Sequence, residues 1–307
     1  MHGMQEVGGS NPPGSIDFID IQRLNLLKLG VHVSITGKIY KSAERAAAFG
    51  CNTMQIFSRS PRQWRKSEIA EKDILRFRKK VKDLRISPVV IHIPYTLNLA
   101  SAKRQFHKIT IRDFIADLIE ADKLGADYLI THMGSYKGSA EAGGVSRVAN
   151  ALQKIFKETA GVKTTVLLEN TSGSGSWLGY DFSHQRLVFN ELNWTERLGL
   201  CLDTAHAWAA GYKINDALGF NGLLRDIEAK VGLGRLKVMH LNDTEVELGS
   251  RLDRHADIGQ GKIGKKGFAF IVNNPKLRNL AFILETPKED DTDDIRNLKV
   301  IRDLYKG

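Results

Sequence analysis

Cysteine is scarce in this chain, which has 307 residues and only two cysteines, Cys51 and Cys201. Both lie inside apolar runs, and the sequence contains neither a CxxC motif nor a pattern typical of a disulfide framework. Long apolar runs are also missing, since none approaches the roughly 18 to 20 residues that span a bilayer. The amino terminus lacks a basic segment followed by an apolar stretch and a cleavage site. We therefore expect a soluble, cytoplasmic protein without a membrane partner.

Negative charge is in deficit. The chain has 45 Lys and Arg residues against 35 Asp and Glu residues, which gives a formal net charge of +10. A surplus of this size suits a polyanionic partner such as nucleic acid, but many basic proteins bind none. Charge alone leaves both interpretations open.

Short β-branched apolar runs alternate with longer stretches of helical periodicity, as is typical of βα units around a parallel sheet. Eight runs predict strands, at residues 31–35, 53–57, 88–93, 128–132, 164–169, 199–203, 236–241 and 280–285. Amphipathic stretches predict helices at 74–84, 111–124, 147–159, 218–231 and 293–305. Eight strands alternating with helices predict an α/β fold of the TIM (β/α)8 barrel type.

The chain is expected to form a single domain, because no linker rich in Pro, Gly or Ser divides it. We assign residues 29–307 to the barrel. Residues 1–28 precede the first predicted strand, and the stretch 8–14 has turn composition with nothing to pack against. We expect this amino-terminal extension either to be disordered or to precede the true start of the protein.

Histidines and carboxylates recur at the carboxyl ends of predicted strands, where barrel enzymes place their active sites. Six potential ligands share this position: His92, His132, Glu169, Asp203, His240 and Glu285. A single strand-end histidine or carboxylate is commonly a structural residue or a helix cap. Three carboxylates buried close together without cations would repel one another and lose their hydration, so the set as a whole indicates divalent metals.

Two short motifs add three candidates. His206 lies three residues after Asp203, and Asp253-Arg254-His255 has a spacing that aims Asp253 and His255 to one side of an extended segment. A solvated surface loop is the alternative interpretation of the second motif. Imidazole and carboxylate ligands without thiolate favour zinc, with manganese and iron as competitors.

Seven motifs carry a resemblance to a known family: HVS at 32–34, RQW at 62–64, LENTSG at 168–173, DTAHA at 203–207, MHLND at 239–243, GSRLDRH at 249–255 and LETP at 284–287. Through them the chain resembles the endonuclease IV family of apurinic/apyrimidinic (AP) DNA endonucleases, also called AP endonuclease family 2. The resemblance extends over residues 29–305, which is the whole chain apart from the amino-terminal extension.

The resemblance implies three zinc ions per chain, for which Mn²⁺ or Fe²⁺ can substitute. It assigns one ion to His92, His132 and Glu169, a second to Glu169, Asp203, His240 and Glu285, and a third to His206, Asp253 and His255. Glu169 then bridges the first two ions, and Glu169 and Glu285 are the implied catalytic residues. His32, on the first predicted strand, is expected to support the ligands from behind.

The implied substrate is double-stranded DNA containing an abasic site. The implied reaction hydrolyses the phosphodiester 5′ to the abasic site and leaves a 3′-hydroxyl and a 5′-deoxyribose phosphate. Arg62 and Tyr95 match the DNA-binding residues that the family wedges into the duplex, whereas a surface stack of Arg62 on Trp64 is the alternative. Thr96 follows Tyr95 where family members carry a larger apolar residue, so the depth of insertion stays open. No obligate protein partner is implied, and we expect a monomer.

A glycine-rich stretch near the carboxyl third, at residues 259–261, precedes Lys262, Lys265 and Lys266. Its backbone N–H groups are candidates for close contact with DNA phosphates. A solvated surface turn is the alternative interpretation.

Two other functions stay open at this point. A metal-dependent sugar isomerase or epimerase of the same barrel superfamily explains the barrel and part of the cluster, but not Asp253 with His255 or Arg62 with Tyr95. Three zinc ions per chain would favour the nuclease, and one exchangeable manganese the isomerase. A DNA-binding scaffold with purely structural metals is the other alternative, although structural sites seldom use a bridging carboxylate.

Overall fold

A computed structural model describes residues 27–59 and 69–307. Eight of its strands form one sheet: β1 (Lys28–Val31), β2 (Met54–Phe57), β3 (Val89–His92), β4 (Tyr128–His132), β5 (Thr165–Glu169), β6 (Leu198–Asp203), β7 (Leu236–His240) and β10 (Ala281–Leu284). A separate antiparallel pair consists of β8 (Asp243–Thr244) and β9 (His255–Ala256). The eight strands are parallel and follow the order β1-β10-β7-β6-β5-β4-β3-β2.

Helices alternate with these strands. The described part of the chain contains α1 (Tyr40–Ala48), α2 (Glu71–Asp83), α3 (Arg104–Leu124), α4 (Glu141–Glu158), α5 (Phe182–Glu191), α6 (Thr204–Ala210), α7 (Ala217–Lys230), α8 (Gly264–Val272) and α9 (Asp291–Leu304). Short 3-10 turns occupy Leu233–Arg235 and Pro275–Leu277. The five predicted helices are confirmed, and each begins earlier than its apolar periodicity indicated. Among the described residues, no helix combines the length and apolar character needed to cross a bilayer.

The barrel closes where β1 meets β2. His32 and Gln55 form an isolated parallel bridge there, and the Val33 N–H donates to the Gln55 carbonyl over 2.8 Å. Further down the barrel, the Asn52 N–H donates to the Leu29 carbonyl. The predicted TIM (β/α)8 barrel is therefore confirmed, with its seam between the first two strands.

The first strand departs from the prediction. Residues 31–35 form the most β-branched run in this region, yet β1 is Lys28–Val31 and pairs Leu29 with Phe282 and Gly30 with Ile283 of β10. Tertiary pairing outweighs local propensity here. A side chain at position 30 would meet the Thr53 carbonyl oxygen at 2.0 Å, so only glycine lets the strands approach. The barrel thus begins before the predicted boundary at residue 29, and the predicted extension lies, up to residue 26, outside the described residues.

The core has two layers. Seven buried side chains fill the barrel interior: Val90, Ile130, Leu167, Cys201, Val238, Ala281 and Ile283. A larger apolar layer packs the sheet against the surrounding helices. The two cysteines, Cys51 and Cys201, are both buried and free. The interior is therefore a packed core, which leaves the mouth of the barrel as the place for a polar site.

Candidate active site

Six of the predicted site residues stand directly above the interior core. Each lies two positions after an interior residue of its strand, so the period of two in a β-strand aims both side chains into the barrel. The pairs are Val90 and His92, Ile130 and His132, Leu167 and Glu169, Cys201 and Asp203, Val238 and His240, and Ile283 and Glu285. The strand periodicity therefore brings all six to one mouth, as the sequence predicted.

His92, His132 and Glu169 form the first group. The Nε2 atoms of the two histidines lie 3.1 and 3.0 Å from the same oxygen, Oε2 of Glu169. One ligand atom from each residue falls within 4.8 Å of the others. Glu169 is 1% exposed, so this carboxylate is removed from water.

The second group shares Glu169 with the first. The other oxygen of Glu169, Oε1, lies 3.2 Å from Nδ1 of His240, and Oε2 of Glu285 lies 3.1 Å from the same nitrogen. Oδ2 of Asp203 is 3.9 Å from it. Glu169, Asp203, His240 and Glu285 thus offer four ligand atoms within 4.8 Å of one another. Because its two oxygens face different groups, Glu169 has the geometry of a bridge.

The third group lies nearer the surface. Oxygens Oδ2 and Oδ1 of Asp253 lie 3.3 Å from Nε2 of His206 and 3.3 Å from Nε2 of His255, respectively. His206 stands in the first turn of α6, whose N-cap Asp203 accepts from the His206 N–H over 2.7 Å. The compact ligand group here contains Asp203 with the two histidines. Asp203 therefore lies between the second and third groups, which the sequence did not indicate.

Three of the candidate ligand histidines hold Nδ1 against a backbone carbonyl, which leaves Nε2 to face the site. Nδ1 of His92, His206 and His255 lies 2.7, 3.0 and 3.1 Å from the backbone carbonyls of Ile93, Asn170 and Glu285. A carbonyl oxygen only accepts, so Nδ1 carries a proton, and Nε2 is the nitrogen that can bind a cation once it is deprotonated. This is the arrangement that protein metal sites use to fix the tautomer of a ligating histidine.

Two imidazole nitrogens at the site lack a hydrogen-bond partner although a carboxylate is close. Nε2 of His132 and Nε2 of His255 are buried without a hydrogen bond, while lying 3.0 and 3.3 Å from Glu169 and Asp253. In both pairs the nitrogen and the oxygen are close but are not aligned for a hydrogen bond. Such a geometry is the one expected when both atoms point toward a metal ion that they share. The donor set, oxygen and imidazole nitrogen without sulfur, fits zinc.

The electrostatics of the cluster also favour cations. Burial alone would raise the pKa of Glu169, but neighbouring His132 and His240 hold it well below its ordinary value. Burial would lower the pKa of His206, but the carboxylate of Asp203 and those of its other neighbours raise it well above 6.5. The pKa of His255 rises against burial to about 9, mainly through its contact with Asp253. The carboxylates of the cluster thus favour positive charge on their neighbours, and a bound metal ion would supply such charge.

A cavity of about 420 Å³ opens above the three groups. Seven of the nine predicted ligands line it, together with Tyr95 and Trp177. Tyr95 is 54% exposed, and its ring packs edge-on against Phe57 with centroids 5.6 Å apart. The structure therefore places Tyr95 at the rim of the site, whereas Arg62 and the neighbouring Trp64 lie outside the described residues.

Residues next to the ligands were missed at the sequence level. Asn242 donates to Asp203 Oδ2 and accepts from the Glu285 N–H, and Asn170 accepts from the Asp203 N–H. The side-chain amide of Gln55 forms hydrogen bonds with Nε2 of His240 and with Oε1 of Glu285. His32 lies 3.2 Å from Glu285 Oε1 through Nδ1, in the supporting position expected for it. The available signal was a polar residue inside an apolar strand, as at Gln55, or one or two positions after a strand-end ligand, as at Asn170 and Asn242.

The glycine-rich stretch at residues 259–261 does not offer its backbone N–H groups to DNA phosphates, which was one of its two interpretations. The N–H groups of Gly259, Gly261 and Ile263 all donate to the carboxylate of Asp243, over 2.9 to 3.0 Å. Lys262 pairs with Glu247. These backbone donors are therefore occupied within the protein and are not free for phosphates.

Comparison with known proteins agrees with this geometry. A family model described as a xylose isomerase-like TIM barrel matches residues 43–304. A protein of Chloroflexus aurantiacus named probable endonuclease 4 is 41% identical over 281 residues, which cover 91% of this chain and 99% of that protein. The crystal structure of endonuclease IV from Thermus thermophilus superposes with a TM-score of 0.80 at 34% identity, covering 90% of this chain and 98% of the other.

Sugar-converting proteins share the fold at lower identity. The structure of a D-tagatose 3-epimerase-like protein superposes with a TM-score of 0.70 at 17% identity, covering 91% of this chain and 97% of the other. Similarity at that identity shows the fold alone. The endonuclease matches are much stronger in sequence and extend over nearly the full length of each relative. This chain belongs to the endonuclease IV family.

Proposed function

We propose that this chain is a zinc-dependent DNA repair endonuclease that hydrolyses the phosphodiester 5′ to an abasic site. A water oxygen attacks the phosphorus and the P–O3′ bond breaks. The products are a 3′-hydroxyl on one side and a 5′-deoxyribose phosphate on the other. The substrate is double-stranded DNA, and the enzyme acts as a monomer.

The observation that carries this proposal is the convergence of nine imidazole and carboxylate side chains at one end of the barrel of an endonuclease IV family member. His92, His132 and Glu169 would hold one ion, Glu169, Asp203, His240 and Glu285 a second, and His206, Asp253 and His255 a third. When bound, zinc supplies Lewis acidity toward phosphate oxygens and acidifies water near neutral pH.

The chain's own residues hold the reacting groups in place. Glu169 is buried and directs one oxygen to His132 and the other to His240. Its carboxylate would therefore keep the first two zinc ions close together. Glu285 completes the second group and is itself held at two points: its carboxylate accepts from Gln55, and its backbone N–H donates to Asn242. Such preorganisation spares the reaction the cost of reorganising charges in the transition state.

Two features would recognise the lesion: the aromatic ring at the rim of the cavity and the positive charge of the protein. An abasic site lacks base stacking and is extruded from the duplex more cheaply than a paired nucleotide. The exposed ring of Tyr95 lies beside His92, with ring centroids 5.3 Å apart. It can therefore occupy the space that the missing base leaves in the duplex while the phosphate reaches the candidate ligands. The net charge of +10 favours the DNA backbone. Arg62 would act alongside Tyr95.

The isomerase alternative receives no specific support. An isomerase would account for the barrel and for a smaller set of ligands. The similarity to the epimerase-like structure is a similarity of fold alone. Contacts of Asp253 with His206 and His255 add a third group that one or two metals do not require.

A duplex oligonucleotide with one tetrahydrofuran site tests the proposal, because this abasic analogue resists β-elimination and reports hydrolysis alone. Zinc-loaded protein should cut only the strand carrying the analogue, and DNA polymerase should extend the new 3′ end without further processing. Glu169→Gln should bind the same duplex and leave it uncut, while an undamaged duplex serves as the substrate control. Intact analogue strand after incubation with excess protein and zinc would refute the proposed activity.

A further inference from the structure

Gln55 is a fully buried amide that belongs to none of the three ligand groups. It lies on β2 between Met54 and Ile56, which are also fully buried. An amide in apolar surroundings is costly unless its hydrogen bonds are satisfied. In Gln55, those bonds are made to the candidate ligands.

The amide spans two ligands from different strands. Its Oε1 lies 2.8 Å from Nε2 of His240 on β7, and its Nε2 donates to Oε1 of Glu285, which follows β10. The same Nε2 is 2.9 Å from Nδ1 of His32. Three polar residues, His32 after β1, His240 on β7 and Glu285 after β10, therefore meet at this one side chain.

These contacts determine which way the amide points and where the His240 proton sits. A carboxylate only accepts, so the NH₂ end of Gln55 must face Glu285 and the carbonyl end must face His240. Nε2 of His240 consequently donates to Gln55. Its Nδ1 is then the nitrogen that faces the other ligands, 3.2 Å from Glu169 and 3.1 Å from Glu285.

We propose that Gln55 is a positioning residue of the second ligand group: it fixes the tautomer and ring orientation of His240 and holds the carboxylate of Glu285 beside it. This inference rests on the proposed zinc-dependent function. Partners of this kind, one step behind the ligands, orient ligating groups in metal sites.

A purely structural role for the Gln55 side chain does not account for these contacts. Closure of the barrel at this point uses the backbone, through the bridge to His32 and the bond from Val33 N–H to the Gln55 carbonyl. Any residue supplies those backbone groups. What the side chain adds is contact with His240, Glu285 and His32, so an apolar side chain of equal length should keep the barrel and disturb the ligands.

Gln55→Met is the direct test, because methionine matches the length of glutamine and can neither donate nor accept comparably. Gln185→Met is the matched control: Gln185 is equally buried, and its side-chain amide donates to the Gly179 carbonyl over 3.1 Å rather than to a candidate ligand. Zinc affinity is measured by competition with a chromogenic chelator, alongside the melting temperature of the metal-free proteins. Gln55→Met should weaken binding of the affected zinc ion about 10- to 100-fold, and Gln185→Met should leave zinc affinity at the wild-type value.

Cobalt substitution supplies a second readout. The visible absorption of bound Co²⁺ reports ligand geometry, so the Gln55→Met spectrum should differ from the wild-type spectrum and the Gln185→Met spectrum should not. If Gln55→Met does not fold, Gln55→Asn replaces it. This variant keeps an amide but is one methylene too short to reach both His240 and Glu285, and the same loss of zinc affinity is expected.

The outcomes separate this inference from the proposed function. Wild-type protein that binds zinc and cuts the tetrahydrofuran duplex, with Gln55 variants of unchanged zinc affinity and unchanged cobalt spectrum, overturns the inference alone. A lower melting temperature of the metal-free variant with unchanged zinc affinity overturns it too, because the role is then structural. Wild-type protein that binds no zinc removes both.

Discussion

Asp253 reaches from the surface to the buried His206, with Oδ2 of Asp253 lying 3.3 Å from Nε2 of His206. The Asp253 side chain is 53% exposed, whereas that of His206 is 6% exposed. A residue held at the rim of the cavity thus completes a group whose other members, His206 on α6 and His255 on β9, have side chains only 6% and 19% exposed. The third group should therefore be the most accessible of the three and the easiest to remove without unfolding the protein.

Asp253→Ala is expected to lower the zinc content from three ions to two per chain and to reduce cleavage by at least about 100-fold, the scale of losing one electrostatic contact to a transition state. The melting temperature should change little, because the carboxylate is half exposed. Elemental analysis and cleavage of the tetrahydrofuran duplex check this. Glu247→Ala, at an exposed carboxylate in the same loop, is the control. Three zinc ions in Asp253→Ala would exclude Asp253 as a ligand.

Zinc uptake by metal-free protein should release protons. The pKa of His206 lies well above 6.5 and that of His255 is about 9, so both are protonated at pH 7 when no metal is bound. A metal ion must displace these protons, and apparent zinc affinity should therefore rise with pH until the pKa of His255 is passed. An indicator-dye titration at pH 7 should show more than one proton released per chain. Zinc binding that is independent of pH between 6 and 9 would contradict this prediction.

Tyr95→Ala should weaken binding of an abasic duplex by about 10-fold, because stacking of an aromatic ring is worth about 1–3 kcal/mol. Tyr95→Phe keeps the ring and should bind almost as wild type. Zinc content should be the same in both variants, since Tyr95 contacts ligand rings without binding a metal. Fluorescence anisotropy with a labelled duplex measures the difference. Equal affinity of Tyr95→Ala and wild type would remove Tyr95 from lesion recognition.

Gly30→Ala should destabilise the barrel at its seam. The added Cβ would meet the Thr53 carbonyl oxygen at 2.0 Å, and backbone cannot yield as a flexible side chain does. The expected loss is about 1–3 kcal/mol, the usual cost of overpacking. Gly161→Ala is the control because nothing lies within 4 Å of its Cβ position. Urea denaturation of the two variants makes the comparison, and equal midpoints would show that the β1–β2 seam is pliable.

Strand-end position was the part of the site that the sequence predicted best. His92, His132 and His240 were found because a βα repeat fixes where strands end, and because interior residues two positions earlier are apolar. The first strand was misplaced, since the β-branched run at residues 31–35 has the stronger local propensity. Pairing with β10 and the close approach at Gly30 are long-range facts that local propensity does not carry.

Contacts between distant residues account for the remainder. Gln55 reads as one polar residue in an apolar strand until the fold brings His240 and Glu285 to either end of its amide. Asp203 was expected in one group and lies between two. The glycines near residue 260 suggested backbone N–H groups that are free to bind phosphate, but these groups donate to the carboxylate of Asp243. Which hydrogen bonds are already made depends on tertiary structure, so spacing along the chain does not reveal it.

Titration of zinc into metal-free protein, with cleavage of a single tetrahydrofuran site followed at each addition, tests the central claim most directly. Activity should be absent without metal, should rise as zinc binds, and should reach its plateau when three ions are bound per chain. Full cleavage by metal-free protein, or a plateau at one ion per chain, would contradict an AP endonuclease that works through three zinc sites.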